Sequence, residues 1–122
     1  MSEVNVKLLK VNASTGQHNE AYINATVFVG NNSDEPIVMT VQGFGFIIET
    51  PDGRSIETEP EHPNLVGAFL LDPGQDVTKV YSNKAICNTD VFVPGPEYTL
   101  IALGPEGVKA DRMTFKFHQL YL

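Results

Sequence analysis

The sequence has no tryptophan and one cysteine, Cys87, in 122 residues. A lone cysteine excludes an internal disulfide and any Cys-x-x-Cys metal or redox motif. Without tryptophan the chain lacks the strongest stacking platform for a sugar and the core Trp of antibody-type domains. Bases are scarce: eight Lys and Arg face fifteen Asp and Glu, for a formal net charge of −7. That balance lacks the basic footprint of a nucleic-acid binder. No apolar run reaches the roughly 20 residues of a membrane-spanning helix. The opening Met1-Ser2-Glu3-Val4-Asn5-Val6 has no basic-then-apolar pattern of a secretion signal. The expectation is a cytoplasmic protein with neither nucleic acid nor membrane as partner. In that setting the Asn-x-Ser/Thr triplets at Asn12, Asn24 and Asn31 read as coincidence.

Helical periodicity is missing too, and a period of two takes its place. Val, Ile and Thr supply 29 residues, which favour pleated backbone. Val4, Val6 and Leu8 alternate with polar neighbours as a first strand, and Ile23, Ala25, Val27 and Val29 mark a second. After the break at 30–36, residues 37–50 read as one kinked strand, with Gly43 and Gly45 permitting a bulge. Pro51-Asp52-Gly53 is hairpin-turn chemistry, and Arg54–Thr58 returns as a short polar edge strand. The 59–64 stretch, with Pro60 and Pro63, is expected to stay out of any ladder because proline has no N–H to donate. Leu65–Leu71 ends at the turn Asp72-Pro73-Gly74-Gln75; Asp76–Tyr81 follows as a strand, and 82–90 reads as a loop or one helical turn. Glu97–Leu103 is apolar on both parities, as a central strand requires, and Met113, Phe115 and Phe117 mark the last strand. The tail Gln119-Leu120-Tyr121-Leu122 either continues it into the core or offers an edge to another copy. About seven or eight strands, with turn signals about every ten residues, predict a single all-β domain over 1–122, an antiparallel β-sandwich.

One motif sharpens that expectation. In Phe92-Val93-Pro94-Gly95-Pro96-Glu97-Tyr98, Pro94-Gly95 precedes Tyr98 by four and three residues, and apolar Phe92 precedes it by six. The spacing resembles the tyrosine corner of immunoglobulin-like and fibronectin type III sandwiches, in which a Tyr packs under a turn between sheets and its hydroxyl bonds the backbone. Tyr98, Pro94 and Gly95 are therefore structural expectations. A broader resemblance rests on four blocks: 31–37, Ile47–Arg54, Leu71–Gln75 and Pro94–Leu100. Over about residues 22–103 their order is similar to the bacterial intracellular proteinase inhibitor family, an Ig-like sandwich. Gly43-Phe44-Gly45-Phe46 departs from that pattern, and no inhibitory residue carries over.

Chemistry is thinly signalled. His18, His62 and His118 lie in three separate regions, so no zinc spacing exists. Asp72, Asp76 and the acids near 57–61 offer oxygen ligands for calcium but no Asp-x-Asp-x-Asp loop. Cys87 reads as a small buried hydrophobe rather than a nucleophile. No catalytic residue, metal or cofactor is assigned, and the expectation is a non-enzyme. The densest charge is acidic: Glu49, Asp52, Glu57, Glu59 and Glu61 surround Arg54, and Pro60 and Pro63 stiffen the adjoining loop. A contact surface for another protein, with a protease among the candidates, is expected at Asp52, Arg54, Glu57, Glu59, Glu61, His62 and Asn64. Loops 59–64 and 82–90 and the 51–54 turn would act together. The alternatives are a structural subunit that forms homo-oligomers through strand edges or the C-terminal tail, and a small-ligand or carbohydrate-binding domain.

Overall fold

The computed structural model describes residues 4–15, 20–40, 45–60, 68–86, 92–103 and 109–119. Two long strands, β1 (Val4–Thr15) and β2 (Glu20–Asn31), open the chain, followed by β3 (Ile37–Thr40), β4 (Gly45–Glu49) and β5 (Ser55–Glu57). Next come β6 (Glu59–Pro60), β7 (Ala68–Leu71), β8 (Asp76–Ile86), β9 (Tyr98–Leu103), β10 (Lys109–Phe115) and β11 (His118–Gln119). They form one sheet in the order β11-β1-β2-β8-β6, a second in the order β10-β9-β4-β5, and a ribbon of β3 and β7. Strand pairing is antiparallel except where β11 runs parallel to the end of β1. The architecture is the Ig-like β-sandwich that the period of two predicts.

The core lies between the two larger sheets. On β2 the alternate residues Ala21, Ile23, Ala25, Val27 and Val29 are all buried. They meet Phe46, Ile48, Tyr98, Leu100 and Ala102 of the facing sheet. Leu100, Ile101 and Ala102 are buried in succession, so β9 is the central strand that its two-sided apolarity predicts.

Several expectations are corrected. The first strand does not stop near Leu8. A register shift between Leu8 and Lys10 moves the inward set from Val6 and Leu8 to Ala13 and Thr15, and that parity change hid the second half of β1. The kinked strand over 37–50 is two strands in different sheets, β3 beside β7 and β4 beside β9. Residues 82–86 continue β8 rather than forming a loop or helical turn. Glu59–Pro60 does enter a ladder, opposite Lys84 and Asn83. A sheet edge accepts proline because its outer side needs no N–H donor. These divisions, with the two-residue pieces β6 and β11, raise the strand number above the seven or eight expected. Of the tail, Gln119 belongs to β11, and Leu120–Leu122 lie outside the described residues.

Both open sides of the sandwich are closed. On one side Thr58 joins β5 to β6 and so carries the chain from one sheet to the other. Its N–H donates to the Phe46 carbonyl at 3.1 Å, and its hydroxyl lies 2.8 Å from the same oxygen and 3.4 Å from Oδ1 of buried Asn83. On the other side the Leu8 N–H donates to Oδ2 of Asp111 at 2.6 Å. The register of β10 also shifts at this point, between Lys109 and Asp111, so two irregular strand segments face each other across the seam.

Candidate functional site

The acidic segment forms a hairpin at the sandwich edge. Glu49 pairs with Ser55, and Ile48 with Ile56. Thr50 is buried, while residues 51–55 are exposed. The turn closes through Thr50 N–H to Arg54 O at 2.8 Å and Gly53 N–H to Thr50 O at 3.0 Å. Gly53 has φ +92°, a conformation that side-chain-bearing residues avoid. The Thr50 Oγ1 accepts the Arg54 N–H at 2.9 Å, and the hydroxyl donates to Asp52 Oδ1. Arg54 Nε bonds Asp52 Oδ2 at 3.1 Å. Thr50 is thus the hub of the turn. Its hydroxyl, assisted by the Arg54 charge, holds the Asp52 carboxyl below its usual range.

Asp52 and Arg54 are therefore together at the tip as an ion pair. Glu57 and Glu59 follow as exposed edge residues, Glu59 opposite Lys84 in register. Glu49 is half-buried, with a carboxylate oxygen 3.7 Å from the Arg112 guanidinium. Glu61, His62, Asn64 and Cys87 lie outside the described residues, as do most of loop 59–64 and residues 87–90 of the second loop. Among the described residues no group of three or more His, Cys, Asp or Glu is placed to hold a metal ion.

The structural motif sits at the same end, since Glu49 lies opposite Thr99, next to Tyr98. Tyr98 is 1% exposed, and its hydroxyl accepts the Val93 N–H at 3.1 Å. Gly95 makes the bend with φ +111°. Pro94 bridges to Phe117, whose ring meets that of Tyr98 edge-on at 4.8 Å. Phe92 and Phe115 complete the aromatic cluster. This is the arrangement expected from the 92–98 spacing, and it gives the hairpin a rigid base.

Sequence reasoning missed Asn31. Its side chain is 1% exposed, donates to the carbonyls of Glu35 at 2.8 Å and Leu71 at 2.9 Å, and accepts from Ser33 N–H at 2.9 Å and the Ser33 hydroxyl at 2.6 Å. Its backbone joins the 72–75 turn through Gln75 O and Gly74 N–H, both at 2.9 Å. The Asn-x-Ser spacing before Pro36 carried the local half of this signal, an Asx-turn. Buried in this way, Asn31 is closed to modification, whereas Asn12 and Asn24 face each other, exposed, on β1 and β2.

Solved structures share this fold at low identity. The beta-glucosidase from Kluyveromyces marxianus matches with a TM-score of 0.60 and 13% identity, covering 94% of this chain and 14% of that one. A beta-glucuronidase of glycoside hydrolase family 2 matches at 0.57 and 13%, covering 89% and 12%. The putative ApaA protein from Bordetella pertussis matches at 0.53 and 15%, covering 93% of both chains. The chain thus spans about an eighth to a seventh of the two glycosidases and nearly all of the small Bordetella protein. At these identities the likeness is one of fold: a β-sandwich that stands alone in one case and is part of a large enzyme in the others. No family model matches the chain, and no curated protein matches it. The resemblance to proteinase inhibitors has no counterpart among these structures.

Proposed function

We propose that this chain is a non-catalytic protein-binding domain that presents its acidic edge, from the Pro51–Arg54 turn to Glu59, to a basic surface on another protein. The observation that supports this is the bonding around Thr50. An exposed turn already held in one shape has little freedom left to lose on binding. Glu57 and Glu59 lie along the same edge, where exposed charges govern association rate and its salt dependence. The finer form of the reading is proteinase inhibition, in which the tethered turn occupies a protease cleft and resists cleavage.

Titrating the protein into subtilisin tests the finer form. Activity is expected to fall in proportion to added protein, and Thr50→Val, which frees the turn, is expected to weaken the effect. Undiminished subtilisin activity in a molar excess of the protein removes the inhibitor form. Capture from native cell extract with wild type and with the Glu57→Ala/Glu59→Ala variant tests the broader form. A partner retained equally by both, with the same salt dependence, rules out the acidic edge as the contact.

A further inference from the structure

Among the described residues, four large apolar side chains are more than half exposed: Leu9 at 51%, Val38 at 67%, Leu70 at 56% and Val80 at 63%. They fall into two patches of opposite charge. Val38 and Leu70 are cross-strand partners on the β3–β7 ribbon, and their neighbours Ile37 and Leu71 turn toward the core. The turns beside this pair, 32–36 and 72–75, carry Asp34, Glu35 and Asp72, all exposed, and no base. Asn31 fixes the acids to the apolar pair, because it holds the carbonyls of both Glu35 and Leu71. The second patch is on the outer face of the β1-β2-β8 sheet. Val80 lies opposite Thr26, which lies opposite Lys10, with Leu9 at the register shift beside it. Lys7 stands one row away, opposite half-buried Phe28, and both lysines are exposed. This patch is apolar and basic on a chain whose net charge is −7.

We infer that the two patches are the halves of one contact between copies of this chain, the acidic ribbon end of one copy docking on the Lys7–Lys10 face of the next. Each patch offers what the other lacks: an apolar centre with carboxylates meets an apolar centre with ammonium groups. A symmetric contact is disfavoured, since either patch against itself opposes like charges. The contact is therefore head-to-side, and repetition extends it into a ring or a filament. It is independent of the acidic hairpin, which contributes no residue to it.

Sedimentation at rising protein concentration in low salt tests the contact. Wild type is expected to pass from monomer to larger species and to revert as salt screens the charges. Lys7→Glu/Lys10→Glu and Asp34→Lys/Asp72→Lys are each expected to weaken self-association by about tenfold or more, because each makes the two patches alike. An equimolar mixture of the two variants is expected to associate again, and this rescue also shows that both are folded. Lys116→Glu, an exposed charge outside both patches, is expected to change nothing. Wild type that remains a monomer at every concentration overturns the inference and assigns the patches to other proteins. So does a mixture that fails to associate, or a Lys116→Glu variant as impaired as the patch variants.

Discussion

The two ends of this sandwich are held by opposite kinds of chemistry. β1 and β2 pair Val4 with Asn31 at one end and Ser14 with Tyr22 at the other, where β11 joins β1 and brings the Tyr98 cluster alongside. The Tyr98 end is apolar: Phe92, Phe115 and Phe117 pack on one ring, and one hydroxyl ties down the bend. The Asn31 end is polar: one buried amide spends both donors and its acceptor on two turns. Ring packing is tolerant of small displacements, whereas a buried amide with every valence used is not, because an orphaned carbonyl has no water to turn to. The two proposed contact surfaces follow this division. The hairpin rises from the apolar base, and the acidic turns are fixed by the polar one.

Substitutions at the two ends should break the comparison in different ways. The largest effect is expected from Tyr98→Ala, which removes the ring at the centre of the aromatic cluster and should cost about 3–5 kcal/mol in urea unfolding. Asn31→Ala should follow at about 2–3 kcal/mol, since it strands the buried carbonyl of Leu71 and removes the acceptor of the Ser33 N–H. Hydrogen exchange is then expected to rise at Gly74 and Gln75 while Val93 stays protected. Asn31→Asp should be no milder, because it turns an acceptor toward two carbonyls. Tyr98→Phe keeps the ring and loses the bond from Val93, for about 1 kcal/mol, with faster exchange expected at the Val93 amide. An equal loss from Asn31→Ala and Tyr98→Phe would erase the distinction between the ends.

The smallest effect near neutral pH lies between the ends, at Tyr81, whose ring packs against Phe46. Burial pushes its hydroxyl from 10.0 up to about 12. A group whose ionisation is deferred in the folded state stabilises that state fully below the unfolded value. The contribution is lost as pH rises from 10 through 12. Stability of wild type should decline across that window, and Tyr81→Phe should flatten the decline. A tyrosinate absorbance titration in which every residue ionises near 10 would contradict the assignment.

The apolar end was legible in the sequence because its determinants are close together: Phe92, Pro94, Gly95 and Tyr98 span one turn and the start of one strand. The period of two exposed the core face of β2, and two-sided apolarity the central place of β9, for the same reason. The polar end was not legible, since Asn31 finds Leu71 forty residues away and no spacing announces that bond. Irregularity hid more. The register shift after Leu8 inverted the parity of β1, and the change of sheet between β3 and β4 looked like a kink. Pro60 was excluded from a ladder by a rule that holds for inner strands and relaxes at an edge. Of the candidate site, Asp52, Arg54, Glu57 and Glu59, picked out by charge density, are exposed. The part played by Thr50 was out of reach, because a threonine before a proline carries no mark of being the anchor for the whole turn.

The passage of the chain through Thr58 has a mechanical consequence. Two stacked layers joined only by side-chain packing can slide, but here a single residue welds one rim, and the Asp111 carboxylate pins the rim opposite. Shear between the layers works against the Thr58 crossing and the Leu8–Asp111 bond as well as against the interior packing. A load applied at the hairpin is therefore passed along β5 and through Thr58 to the other layer.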